Sequence, residues 1–212
     1  MENAVTDYVA LNESQVESEV DPFTATRYKQ FAHWFAPNAR RVLDVGCNTG
    51  RGGTVLKALR PELEVVGLDL LQSRLDRLPK NVYGGVLCGS ATAMPCDDES
   101  FDAVVAGEFI EHIPGHDASK FLQEAFRVLR MHGTLALTTP NPGDLKLRLR
   151  GGSNLGGSHV SQHHPETMRL QLMMAGFNRV RIRGSGKVSW YLGTRVPYVN
   201  LYGSYMAVGC KV

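Results

Sequence analysis

The feature that most constrains this chain is a regular alternation of two periods. Five short apolar runs, at residues 42–45, 65–70, 86–88, 101–106 and 134–138, have strand length and are rich in β-branched residues. Segments of helical character separate them. The clearest is 118–130, where Phe121, Leu122, Ala125, Phe126 and Leu129 form one apolar stripe. Parallel strands need such crossovers, and strands covered on both faces read as continuous apolar runs. The chain is therefore expected to be an α/β protein, a Rossmann-like doubly wound sheet. Ahead of the alternation, Phe23, Arg27, Phe31, Trp34 and Phe35 fall at helical spacing before Pro37. Behind it the pattern predicts a helix over 165–175 closed by Gly176, and strands over 179–183, 188–192 and 205–212.

A length of 212 residues suits one domain, assigned to 24–212. Residues 1–23 alternate acids with small polar residues and are expected to be a mobile arm. The start lacks a basic segment followed by an apolar one, so no signal peptide is expected. No apolar run approaches the roughly 20 residues of a membrane span. The four cysteines (Cys47, Cys88, Cys96, Cys210) show neither CxxC nor zinc spacing, which predicts buried thiols in a reduced, cytoplasmic protein. A net charge of +2 leaves nucleic-acid binding to be decided by clustering. Residues 141–164 are rich in Gly, Ser and Asn and carry Lys146, Arg148 and Arg150. A loop of that length inside a compact domain predicts a lid, with the basic trio as a clamp for an anionic acceptor or simply a solvated face.

Residues 42–50 read VLDVGCNTG: a strand, an acid near its end, then Gly46 and Gly50 opening a helix. Glycine there allows a tight turn and the close approach of a ligand to backbone. The third glycine of the dinucleotide fingerprint is missing, which disfavours a pyrophosphate site and a nicotinamide-dependent dehydrogenase. The next strand, VVGLDL, ends on Asp69, whose carboxylate can accept hydrogen bonds from two ribose hydroxyls. Turn and acid together predict a nucleoside pocket at the strands' C-terminal ends.

On these residues the chain resembles the class I S-adenosylmethionine-dependent methyltransferases, in particular the group with the ubiquinone-biosynthesis and natural-product O-methyltransferases. The resemblance extends through GSATAMPCDDESFDAVVAGEFIEHI and VLRMHGTLALTTPNP. It implies a seven-stranded sheet of order 3-2-1-4-5-7-6 with strand 7 antiparallel. It implies S-adenosylmethionine as cofactor and S-adenosylhomocysteine as product. Asp44, Gly46, Cys47, Asn48 and Gly50 would line the methionine part, Asp69 the ribose and Leu70 the adenine, with Glu108 also against the cofactor. Where the family usually carries Asp to hold the adenine amino group, this chain has Ser90, next to Ala91; Ser90 offers a weaker acceptor. Tyr28 and Lys29 would close over the cofactor from the first helix.

Methyl transfer from a sulfonium is an in-line displacement, and a hydroxyl acceptor must also lose its proton. His159, His163 and His112 are the candidate bases. Glu108, Glu111, His112 and His159 resemble the Glu-x-x-Glu-His…His magnesium site of small-RNA 2′-O-methyltransferases, so Mg²⁺ or Mn²⁺ is the metal alternative. The leading expectation is O-methylation of a small-molecule hydroxyl on a sugar, phenol or natural-product scaffold. The alternatives are an RNA 2′-O-methyltransferase, disfavoured by the small net charge and the lack of an appended RNA-binding domain, and a catalytically silent partner subunit. A homodimer is the assembly left open. Trp190, Tyr191, Tyr198, Tyr202 and Tyr205 could wall an acceptor pocket or pack beneath the sheet edge.

Overall fold

A computed structural model of the chain describes Ala10, Glu13 and residues 21–212 other than Arg195. The arm expected over 1–23 lies almost wholly outside the described residues. The elements are, in order, α1 (Thr24–Ala32), β1 (Arg41–Val45), α2 (Arg51–Leu59), β2 (Glu64–Asp69), α3 (Gln72–Leu75), β3 (Tyr83–Cys88), β4 (Phe101–Gly107), α4 (Ala118–Val128), β5 (Leu129–Pro140), α5 (Leu145–Leu149), α6 (Pro165–Met174), β6 (Asn178–Ser185), α7 (Ser189–Leu192) and β7 (Ser204–Cys210). Single 3₁₀ turns sit at Ile110–His112 and Val199–Leu201.

The seven strands form one sheet of order β3-β2-β1-β4-β5-β7-β6. Pairing is parallel from β3 through β5, and β7 runs antiparallel to both β5 and β6. Successive strand residues point to opposite faces, and here both faces are buried. Leu43, Val45, Val66, Val104 and Leu135 enter a core closed by α4 and α6. Their neighbours Val42, Val65, Ala103, Val105 and Ala136 enter a second core closed by α1, α2 and α3. That double covering explains why these strands read as unbroken apolar runs.

Three expectations are corrected. Residues 188–192 are not a strand: Gly186, at φ +78, turns the chain out of β6, and the Val188 carbonyl accepts the Tyr191 and Leu192 amides to form α7. The thiols are not uniformly buried, since Cys88 is exposed while Cys47 is enclosed. The tail aromatics divide, with Tyr202 and Tyr205 in the core and Trp190, Tyr191 and Tyr198 exposed. No described helix is long and apolar enough to cross a membrane.

Candidate functional site

The C-terminal ends of β1, β2 and β4 open onto one cavity of about 760 Å³. β1 leaves the sheet through Gly46 at φ +66, and Asn48 (φ 47) and Gly50 (φ 80) continue the left-handed turn into α2. The Gly46 and Cys47 amides are tied to the Leu68 carbonyl of β2. A side chain at Gly46 would collide with the Phe109 ring, so only glycine leaves that edge of the cavity open.

Asp69 closes the loop at the end of β2. It is 5% exposed, and its carboxylate accepts the Asn48 amide at 3.1 Å and the Leu71 amide at 3.1 Å. Arg74 stands 3.8 Å away. Each oxygen accepts one amide and keeps one further lone pair, and the residue lines the cavity, so two hydroxyl donors could be accepted there. Leu70, Ser90 and Ala91 line the same end. The Ser90 hydroxyl accepts the Thr92 amide and lies 2.8 Å from the Thr92 hydroxyl; when it donates its proton to that hydroxyl it keeps one acceptor lone pair.

Asp44 does not line the cavity, contrary to expectation. Fully buried, it accepts hydrogen bonds from the Tyr28 hydroxyl at 2.6 Å and the Tyr83 hydroxyl at 2.7 Å. Burial pushes its carboxyl up to about 6 against the pull of those two hydrogen bonds. Asp44 therefore fastens α1 and β3 behind the glycine loop. Gly50 likewise serves the turn without lining the cavity, whereas Gly46, Cys47 and Asn48 do line it. Of the two residues expected to close over the cofactor, Tyr28 faces the cavity, while Lys29 lies across α1 against a separate cleft.

At the other end, Glu108 follows β4 in a left-handed conformation (φ 52) and lies 3.6 Å from Arg27. Arg27, almost fully buried, also pairs with Asp21 at 2.9 Å. Sequence reasoning missed this arginine as a site residue. Glu111, His112 and His159 come together with ligand atoms within 4.8 Å of one another, while the Glu108 carboxylate is drawn to Arg27 instead. Glu111 is buried; the Thr139 hydroxyl donates to its Oε2 at 2.9 Å and Oε1 has no partner. Burial, then the neighbouring Glu108, holds its carboxyl well above the usual range. His112 Nδ1 lies 3.0 Å from the Ser158 carbonyl and His159 Nδ1 lies 2.9 Å from the Asn154 carbonyl. A carbonyl only accepts, so each ring carries a proton on Nδ1. Burial lowers His112 to about 4, which leaves it neutral at physiological pH.

His163 is not brought to the cavity. It is 4% exposed, bonded through Nε2 to the Ser161 hydroxyl at 2.8 Å and the Ile110 carbonyl at 3.3 Å. The segment expected to be a lid, 141–164, is tied down near both of its ends. Asn141 is anchored to the Val199 and Tyr202 carbonyls, and the Val160 and Ser161 amides are pinned to the Glu111 carbonyl. Between those anchors residues 145–157 are exposed apart from the half-buried Leu147 and Asn154.

Among the described residues, four cavity liners carry buried polar atoms with no hydrogen-bond partner: Arg27 Nε, Asn48 Oδ1, Glu108 Oε1 and Glu111 Oε1. A polar, nucleoside-sized ligand fits this donor and acceptor set. Residues 43–137 match a methyltransferase domain. The chain is 33% identical over 176 residues to a malonyl-[acyl-carrier protein] O-methyltransferase of Laribacter hongkongensis, covering 76% of this chain and 57% of that protein. It is 30% identical over 152 residues to the Methylococcus capsulatus protein of the same name, covering 69% of this chain and 54% of the relative. The chain thus spans a little over half the length of these two relatives. A SAM-dependent methyltransferase structure from Archaeoglobus fulgidus superposes with a TM-score of 0.67 at 21% identity, covering 88% of this chain and 92% of the other. Motifs, strand order and domain match agree: the chain carries a methyltransferase domain over residues 43–137 and has the fold of S-adenosylmethionine-dependent methyltransferases.

Proposed function

We propose that the chain is an S-adenosylmethionine-dependent methyltransferase that methylates an oxygen of a small-molecule acceptor. The observation that carries this reading is the joining of two chemically distinct ends in one cavity: the glycine loop with Asp69, and Glu111 with His112 and His159. Asp69 would accept both ribose hydroxyls, Leu70 and Ala91 would flank the adenine, and the Ser90 hydroxyl would take its amino group. Gly46, Cys47 and Asn48 would hold the methionine part, with Arg27 facing its carboxylate. When bound, the cofactor supplies a sulfonium methyl. This chain's task is then to align an oxygen with it and exclude water. The similarity to relatives named as O-methyltransferases supports oxygen as the nucleophile.

For a hydroxyl acceptor, His159 would take the proton at Nε2, with His112 beside it at a ring-centroid distance of 4.9 Å. A second reading rests on the same cluster. Glu111 Oε1 and the two Nε2 atoms could hold Mg²⁺ or Mn²⁺, each imidazole oriented by a carbonyl on Nδ1 as metal-bound histidines commonly are. Bound there, such an ion would supply Lewis acidity toward the acceptor oxygen, with Glu111 holding it as a carboxylate.

Calorimetric titration with S-adenosylhomocysteine, followed by turnover on phenol, sugar and thioester-linked carboxylate acceptors, tests the main reading. Micromolar binding and release of the demethylated product are expected; no heat at millimolar ligand refutes it. Chelator and Glu111→Gln separate the two deprotonation schemes. Under the metal reading either removes activity, and the variant no longer binds Mn²⁺. Under the histidine reading chelator has no effect.

A further inference from the structure

Charge is unevenly spread along this chain. Of 21 acidic residues only Glu166 follows Asp144, whereas 10 of the 23 lysines and arginines do. Lys146, Arg148 and Arg150 stand on or just after α5, and Lys187 precedes α7; all four are exposed, and among the described residues none has an ion pair.

The same segments expose apolar side chains. Leu149 is 79% exposed, Tyr191 76% and Tyr198 66%, with Leu145 beside Leu149 one helical turn away. α5 buries none of its residues although three of its five are leucine. So short a helix has little stability of its own. These segments all lie at one edge of the sheet. The Asn141 amide bonds the Val199 and Tyr202 carbonyls, and the Tyr202 hydroxyl bonds the Gly193 carbonyl, so α5, the 3₁₀ turn and the end of α7 are linked. Pro140 pairs with Ser204, and Ser204 with Ser185, so β5, β7 and β6 all deliver their loops to one edge of the sheet. β4, pairing Gly107 with Thr138, opens into the cavity at that same edge.

We propose that this face docks on an anionic membrane surface. Interleaved cations and apolar side chains suit the lipid interface, where headgroups take the charges while leucine and tyrosine enter the acyl boundary. Tyrosine and tryptophan are at home at that depth. Phosphates of a nucleic acid would satisfy the cations but leave Leu145, Leu149 and Tyr191 in water. An acidic protein would need a continuous apolar stripe to pack against, and here cations interrupt it. Taken with the methyltransferase reading, on which this one consequence rests, the docked orientation brings the cavity to the bilayer and makes the acceptor an amphiphile.

The test is co-sedimentation of the full chain, without cofactor, on phosphatidylcholine vesicles with and without about one-third phosphatidylglycerol. Binding is expected only to the anionic vesicles, and is expected to vanish at about 1 M salt. The triple variant Lys146→Gln, Arg148→Gln, Arg150→Gln should bind about a hundredfold more weakly, about fivefold for each cation. The pair Leu149→Ser, Tyr191→Ser should also weaken binding. Neither should lower the unfolding midpoint, because these side chains are exposed. No binding to anionic vesicles overturns the proposal, as does a triple variant that binds like the parent. So does tighter retention on an oligonucleotide that the Leu149→Ser, Tyr191→Ser pair leaves intact. Vesicle binding by a chain that gives no heat with S-adenosylhomocysteine would leave the docking face standing and remove the methyltransferase reading.

Discussion

Replacing Asp69 by Asn changes the cavity wall while keeping its shape. The carboxylate accepts two backbone amides, from Asn48 and Leu71, and offers one further lone pair on each oxygen. An amide in its place keeps one oxygen and presents an NH₂ where the other stood, so one ribose hydroxyl would meet a donor instead of an acceptor. A hydrogen bond to an ionised group contributes about 1.5–3 kcal/mol. The expected loss in S-adenosylhomocysteine affinity is therefore about 10- to 150-fold. The same substitution unpairs a backbone amide, so lower stability alone proves nothing. A thermodynamic cycle removes that ambiguity. Calorimetric titration of parent and variant with S-adenosylhomocysteine and with its 2′-deoxy and 3′-deoxy analogues isolates the carboxylate–hydroxyl coupling. At least one analogue should bind the parent at least tenfold more weakly, while the variant should distinguish it from the full ligand much less. If the parent binds both deoxy analogues as tightly as the full ligand, the assignment of Asp69 to the ribose is refuted.

Two further outcomes follow from the packing behind the glycine loop. Asp44 has its carboxyl raised from 3.8 to about 6, so the native state keeps this proton where the unfolded chain releases it. Its contribution is present below about pH 4 and is lost as pH rises through 6, a loss of about 3 kcal/mol for two pKa units. Asp44→Asn should remove that slope, so its stability relative to the parent should improve by about 2–3 kcal/mol between pH 4 and pH 7; parallel urea-unfolding curves at the two pH values would contradict this. A Cβ at Gly52 would fall within the Tyr28 ring, so Gly52→Ala must displace that ring and break its hydrogen bond to Asp44. Overpacking and the lost bond together should cost about 2–4 kcal/mol, and an unchanged denaturation midpoint would show that the contact is not there.

The sheet was legible because strands buried on both faces carry the same β-branched run wherever they occur. Residues 188–192 misled for a related reason. Val188, Trp190 and Tyr191 have strand-forming side chains, but β6 is already an edge strand ending at Ser185, and the turn at Gly186 leads away from it. Gly46 and Asp69 could be read because their roles follow from local chain geometry. Arg27 could not, since its partner Glu108 is brought near only by the fold. His163 carried the same local promise as His159, and only burial against Ile110 separates them. For Asp44 a usable signal did exist. Gly52 and Gly53 lie side by side in the first turn of α2, where glycine is costly. That cost makes sense only if bulky groups press on both, as Tyr28 and Tyr83 do.

Charge connects the site to the rest of the chain. Through Asp144 there are 20 acidic residues against 13 lysines and arginines, and beyond it the balance reverses to 1 against 10. The acidic part supplies Asp69, Glu108 and Glu111, all of which line the cavity. A sulfonium donor is cationic and loses that charge as its methyl departs. Carboxylates near it favour its binding more than its reaction, so they must be restrained. The structure restrains each in a different way. Asp69 is tied to two amides, Glu108 to Arg27, and Glu111 is held toward its neutral form by burial. Four cations of the basic part, Lys146, Arg148, Arg150 and Lys187, stand on segments at the cavity's own edge of the sheet, where an anionic or membrane-borne acceptor would arrive. On the proposed function, the two reactants would approach through fields of opposite sign, with the carboxylates nearest the transferred methyl restrained. That arrangement suits a reaction in which a positive charge disappears.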